Sequence, residues 1–120
     1  MLQVKSFGSV KILSVDYDAL LLKLKQTASL LKLKYPEVFN VSLFGSFSKG
    51  NYTPESDIDL LVLVEHSNLP FLQRHTHFIS YFVEIPFDIN MMVYTRDEFE
   101  NMLKEKNHFI LNIRDEAIEL

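Results

Sequence analysis

The 120-residue sequence predicts an α/β (α+β) domain, a small mixed β-sheet covered by helices. Three observations carry that expectation. An apolar stripe at helical spacing begins just after Asp16. Ile58 to Val64 is an almost unbroken apolar run, with the length of a strand and the composition of one covered on both faces. The elements follow the order helix, strand, strand, helix, strand, helix, which lays helices over a sheet. A chain of this length suits one domain, residues 1–120 with 1–15 as an N-terminal extension. At 48% hydrophobic, with ten Phe and five Tyr, it can fill a core.

Residues 2–15 alternate loosely around Gly8 and read as a short extended segment. Asp16 is a helix N-cap. The helix it starts runs to Lys34, with Tyr17, Leu20, Leu21, Leu24, Ala28 and Leu31 as its core stripe. Tyr35-Pro36 ends it, because a residue before proline avoids helical angles. Val38 to Phe44 is the first sheet strand and Ile58 to Val64 the second. Ser67 or Asn68 caps a second helix with Pro70 in its first turn and Leu72, Phe78, Ile79 and Phe82 inward. Phe87 to Val93 is the third strand. Thr95 and Glu98 form a capping box for a third helix. Residues 107–117 read as a short helix and 118–120 as a terminal strand fragment.

The formal net charge of −4 lacks the basic footprint of a general nucleic-acid binder. It leaves room for one phosphate-bearing small molecule held by local cations. The absence of cysteine excludes disulfides and thiolate metal sites. The sequence shows neither a signal-peptide pattern nor an apolar run of membrane-span length, so a cytoplasmic protein is expected and no membrane partner.

The chemistry-bearing stretch is LFGSFSKGNYTPESDIDLLV, residues 43–62. Along a strand, residues i and i+2 share a face about 6.6 Å apart. Asp57 and Asp59 therefore project together, and two carboxylates so close repel unless a proton or a cation intervenes. Oxygen ligands with no His or Cys nearby suit Mg²⁺ or Mn²⁺. Asp88 opens the next apolar strand. If that strand lies beside the second, all three aspartates can share one site, as two-metal phosphoryl chemistry requires. Gly45 ends a strand, Ser46 begins a short helical turn suited to an anion, and Lys49 adds a positive charge. Taken singly, each aspartate reads better as a turn or strand cap and the Gly-Ser pair as an ordinary turn; it is the combination that points to a site.

Gly45-Ser46, ten residues, then Asp57-Ile58-Asp59 resembles the DNA polymerase β-like nucleotidyltransferase superfamily, and is most similar to its minimal single-domain prokaryotic members with the motif G-S-x10-D-x-D. Phe87-Asp88-Ile89 matches the third apolar-Asp-apolar element. The resemblance implies that Gly45, Ser46 and Lys49 hold a nucleoside triphosphate, with ATP the expected one. It implies that Asp57 and Asp59 bind two Mg²⁺ ions, and that Asp88 completes the metal site and helps deprotonate an acceptor hydroxyl. A nucleoside monophosphate, AMP, would pass to that hydroxyl with release of pyrophosphate. Lys49 stands where the family often has arginine, which loses a bidentate fork, and Phe47 replaces a frequently polar residue. The resemblance further implies a HEPN-domain partner protein, a toxin neutralised by adenylylation. Rival readings are a catalytically silent module that neutralises a partner by contact, and a transferase for a small-molecule hydroxyl.

A second apolar set, Leu22, Leu30 and Leu33, lies opposite the core stripe of the first helix. Either the N-terminal segment covers it, or it forms a homo- or hetero-oligomer interface. Lys23, Lys25, Lys32 and Lys34 read as solvated helix residues. His66, His75, His77 and His108 share no metal-ligand spacing.

Overall fold

Asp16 opens the longest element of the computed structural model, which describes residues 1–7 and 10–120, without the side chains of 5–13. Its carboxylate accepts a hydrogen bond from the Ala19 N–H at 3.2 Å, and helix α1 occupies Tyr17–Lys34. Leu20, Leu24, Ala28 and Leu31 are fully buried. Tyr17 and Leu21 pack at the margin of the same cluster. Ahead of α1, strands β1 (Leu2–Phe7) and β2 (Val10–Val15) form an antiparallel ribbon outside the main sheet. The extended segment expected over 2–15 is thus a hairpin; Gly8 lies outside the described residues. The hairpin does not cover the second apolar set. Leu22, Leu30 and Leu33 remain 58%, 59% and 80% exposed.

The main sheet contains β3 (Val38–Phe44), β4 (Ile58–Val64), β5 (Ile89–Thr95) and β6 (Ile118–Glu119), in spatial order β5-β4-β3-β6. β4 runs antiparallel to β3 and parallel to β5, so the sheet is mixed. Between β3 and β4 lies a one-turn helix, α2 (Ser46–Lys49); after β5 come α3 (Arg96–Lys104) and α4 (His108–Glu116).

Alternation along β4 assigns its two faces. Ile58, Leu60, Val62 and Val64 join the cluster beneath α1. Leu61 and Leu63 join Phe44, Ile110 and Ile113 beneath α3 and α4. A strand covered on both faces is the physical content of that unbroken apolar run.

Two expectations need correction. The segment after Ser67 is not an α-helix. It forms two 3-10 turns, Phe71–His77 and Ile79–Phe82. Ser67 Oγ does accept the Leu69 N–H at 3.1 Å. Phe78 and Phe82 are buried, but Leu72 is 79% exposed. The reason is Arg74, whose buried guanidinium donates to the Leu69 and Val93 carbonyls and to both carboxylate oxygens of Glu98. Satisfying those bonds holds the turns tight against β5 and leaves no continuous apolar face. The third strand also starts and ends two residues later than expected, Ile89–Thr95 in place of 87–93, because its ladder with β4 begins at the Ile58–Ile89 pair.

The Thr95–Glu98 capping box is present in both directions. The Arg74 guanidinium bond is the main cause that holds the Glu98 carboxyl below its ordinary range. A carboxyl lowered in the folded state contributes stability above its unfolded value, and that contribution is lost as pH falls through the folded value. Glu98→Gln should therefore cost about 1 kcal/mol at pH 7, since Glu98 is half exposed, and much less at pH 3. Urea unfolding at the two pH values checks this; equal losses would refute it.

Candidate active site

The loop between β3 and β4 is built to bring its ends together. Phe44 pairs with Asp59 across the ladder, so Gly45 emerges beside that carboxylate. Gly45 has φ +75°, and a Cβ there would overlap Asp59 Oδ2 and sit 3.1 Å from its Cγ. The glycine is required twice, for backbone angle and for space. Its carbonyl then accepts the Ser48 and Lys49 N–H groups at 3.1 Å and the Ser48 hydroxyl at 2.8 Å, which fixes α2. Phe47, the inward residue of that turn, is fully buried. It stacks on Tyr52 at 4.9 Å, and Tyr52 stacks on Tyr17 of α1 at 5.3 Å. Thr53 and Ser56 close the remaining turn, Thr53 N–H donating to Ser56 Oγ at 2.8 Å and Ser56 N–H to the Thr53 carbonyl at 3.0 Å. One helical turn, one aromatic anchor and one tight turn account for the ten-residue spacer.

Asp57 and Asp59 converge as the strand period predicts, on the face of the sheet that carries α4. The residue between them is Asn90, which pairs with Asp59 across the parallel ladder. Its Nδ2 donates to Asp57 Oδ2 at 3.3 Å and to Asp59 Oδ1 at 3.2 Å. Burial pushes the Asp59 carboxyl above its ordinary value; the Asn90 bond pulls it down, and the Asp57 charge raises it again.

Asp88 sits just ahead of β5. Its backbone carbonyl accepts the Ile58 N–H at 2.8 Å, and with Glu55 and Asp57 it lines an adjoining groove of about 390 Å³. Strand parity places it on the same side as Asn90. Among the described residues no three His, Asp or Glu side chains are grouped closely enough to hold a metal ion. Ser46 begins α2 beside the carboxylates. Lys49 lies 3.3 Å from Glu116 at the end of α4, so its charge is shared with that carboxylate. The two carboxylates offer the oxygen that a hard divalent cation takes, around a carboxyl whose ionisation is opposed by burial and by its neighbour; Asn90 presents its N–H to both of them.

Sequence reasoning missed Asn90, and the signal was present. It stands two residues after Asp88, with Met92 and Tyr94 of the same parity packed under α3 and α4. Only the register of β4 on β5 decides which of the two faces the carboxylates. A larger cavity of about 560 Å³ lies at the far end of β4, lined by Glu37, Val64, His66, Arg74 and His77. Its one guanidinium is committed to Glu98.

The nucleotidyltransferase domain family matches residues 24–118, and the chain belongs to it. Two proteins of Methanocaldococcus jannaschii are similar over part of their length. "Putative protein adenylyltransferase MJ1379" is 37% identical over 62 residues, 52% of this chain and 61% of that one. "Putative protein adenylyltransferase MJ0604" is 44% identical over 41 residues, 33% of this chain and 41% of that one. The match thus spans about half the length of these relatives. In three dimensions the chain is similar to a "putative nucleotidyltransferase from Sulfolobus solfataricus", with TM-score 0.57, 21% identity, 71% of this chain and 75% of that one. It is also similar to a chain in a structure described as "the toxin-antitoxin with AMP-PNP", with TM-score 0.52, 17% identity, 88% of this chain and 72% of that one. At these identities the structural likenesses speak for the fold, a mixed sheet with helices.

Proposed function

We propose that the protein is a divalent-metal-dependent transferase that moves AMP from ATP to a hydroxyl on a partner protein. The observation that carries the reading is the convergence of Asp57 and Asp59 beside Gly45, at the start of a strand rigidly held on both faces. The protein adenylyltransferase names of the two relatives favour a protein acceptor and AMP as the group moved. Residues Asp57, Asp59 and Asp88 are the proposed metal and catalytic carboxylates; Gly45, Ser46 and Lys49 are the proposed triphosphate contacts. Bound Mg²⁺ or Mn²⁺ would neutralise phosphate charge and favour the attacking oxygen as its anion. The acceptor oxygen bonds to the α-phosphorus, the bond from that phosphorus to the bridging oxygen breaks, and pyrophosphate leaves. Asp88 takes the hydroxyl proton. The loop supplies Ser46 at the start of α2 and the Lys49 charge for the leaving phosphates, and the sheet holds the carboxylates still.

Incubation with α-labelled ATP, Mg²⁺ and an extract of the source organism tests this. Label on one protein band, absent with Asp57→Asn or Asp88→Asn, is the expected result. Label on a small molecule would favour a transferase for a small hydroxyl. A partner neutralised equally well by the Asp57→Asn protein would favour the contact-only module. No described helix is long and apolar enough to cross a membrane, and a cytoplasmic setting is part of the proposal.

Leu22, Leu30 and Leu33, exposed on α1, are the proposed contact for a partner, a HEPN-type toxin or a second copy. Leu33→Glu should lower the mass of the assembly in light scattering with the partner present and leave the fold intact. An unchanged mass would remove α1 from the interface.

A further inference from the structure

β5 is an outer strand, with β4 as its one neighbour among the described strands. The Asp88 carbonyl accepts the Ile58 N–H, which sets the alternation beyond it. Main-chain groups of Asp88, Asn90 and Met92 turn toward β4, and those of Ile89, Met91 and Val93 turn outward. The Val93 carbonyl obeys this parity, since it accepts the Arg74 guanidinium at 3.2 Å from outside the sheet. Arg74 thus closes the edge at Val93. Among the described residues no hydrogen bond reaches the outward groups of Ile89 and Met91. Beside them runs a groove of about 280 Å³, walled by Phe71, Leu72, His75, Ile89 and Met91. Leu72 in that wall is 79% exposed. Just ahead of Ile89 in the chain, Phe87 and Asp88 line the acidic groove shared with Glu55 and Asp57. An open strand edge is a liability that proteins usually cover. Here it is covered at Val93 and left open at the end next to the carboxylates.

We infer that this open edge of β5 is the docking site for the acceptor protein, which binds as an extended segment, adds a strand to the sheet and carries its hydroxyl residue beside Asp88. The outward N–H and C=O groups give affinity with little regard to sequence, and the groove takes an apolar side chain. Strand alternation fixes the rest of the pattern. The hydroxyl points to the face of Asp57, Asp59 and Asp88. Residues one place away turn to the opposite face, with Ile89 and Met91, and are apolar. A residue two places away returns to the acidic face, where Glu55 favours a basic side chain. The next strand position lies about 4.8 Å from β5, so the hydroxyl stands next to the proposed proton acceptor. Size argues against a second copy of this chain as the occupant. The open edge, Ile89 to Met91, is about 10 Å long, far short of the roughly 1,200 Å² that a stable dimer buries. A substrate segment that must leave after transfer needs no such area. The purpose of this edge rests on the protein-acceptor reading; its binding test does not.

The probe is the peptide acetyl-Lys-Val-Thr-Val-Lys-amide, whose residue order is the same in both directions and so suits either strand polarity. Binding to the isotope-labelled protein is followed by amide resonances and hydrogen exchange. Before peptide is added, the Ile89 and Met91 amides should exchange at least about tenfold faster than those of Asn90 and Met92. Peptide should shift the Ile89 and Met91 resonances and slow their exchange. An analogue N-methylated at every residue keeps each side chain and should bind at least about tenfold more weakly. Met91→Pro removes an outward N–H and none of the ladder, and should weaken binding by a similar factor. Leu72→Asn, at an exposed position that does not endanger folding, should weaken it roughly threefold. The inference is overturned if about 5 mM peptide shifts neither Ile89 nor Met91, if the N-methylated analogue binds equally well, or if both variants keep the unmodified affinity. Slow exchange at Ile89 and Met91 without peptide, with a doubled mass in light scattering, would give the edge to a second copy and overturn it too. Peptide bound at the edge, with no protein labelled from ATP by the unmodified protein, would fail the transferase reading alone. Protein label undiminished in Met91→Pro would fail this inference alone.

Discussion

Asp59→Asn should abolish transfer and stabilise the protein in the same stroke. Activity is expected to fall by at least about 10²–10³-fold, since the group would face the reacting phosphate directly. Stability moves the other way because the folded protein opposes this carboxylate's charge, first by burial and then through Asp57. A carboxyl raised in the folded state binds its proton more tightly there than in the unfolded chain. Its penalty is present at pH values above the folded value and is relieved as pH falls. The amide should therefore raise the melting temperature at pH 7 by roughly 2–4 °C, after allowance for solvent screening at a half-exposed site. The gain should vanish below the ordinary aspartate value of about 3.9. Melting curves at pH 7 and pH 3.5 decide it. A lower melting temperature at pH 7 would mean that Asp59 holds the loop together and is not strained by it.

Gly45→Ala should be the most damaging single-methyl change in the chain. The backbone there has φ +75° and ψ −152°, a region essentially reserved for glycine. The strain alone costs about 1–3 kcal/mol. The methyl also collides with Asp59 Oδ2, so the carboxylate must turn away from Asn90 and Asp57. Loss of Mn²⁺ binding should accompany the lost stability. Gly50 supplies the internal control. It too has positive φ, 84°, but a Cβ there meets nothing within 4 Å. Gly50→Ala should cost about 1 kcal/mol and leave metal binding unchanged. Adding Asp59→Ala to Gly45→Ala should recover the collision but not the strain, a partial rescue measurable in a double-mutant cycle. Equal effects at the two glycines would show that the close approach to Asp59 does not matter.

Much of this architecture could be read from local pattern. Asp16, the Thr95–Glu98 box and the α1 stripe act over one or two helical turns, so sequence spacing is enough to locate them. The pairing of Asp57 with Asp59 is likewise local, a property of one strand. What could not be read depends on partners distant in sequence. Arg74 lies 19 residues from Val93 and 24 from Glu98, and those bonds convert an expected helix into 3-10 turns. Asn90 acquires its place from 31 residues away, through the register of β5 on β4. A two-residue displacement of the strand start was enough to hide it. Phe47 looked like a substitution in a polar loop; its burial against Tyr52 shows that it anchors the loop to the core.

That anchor also gives the protein an optical handle. The chain has no tryptophan and five tyrosines. Two of them, Tyr17 and Tyr52, lie face to face at 10°, and Tyr52 lies at 7° to Phe47, in the same loop as Gly45 and Ser46. Stacked rings in a fixed chiral array give circular dichroism in the near ultraviolet, and tyrosine emission is unmasked by any indole. A nucleotide that shifted these rings would change that signal in the unlabelled protein, and Tyr52→Leu, which removes the stack, is the control.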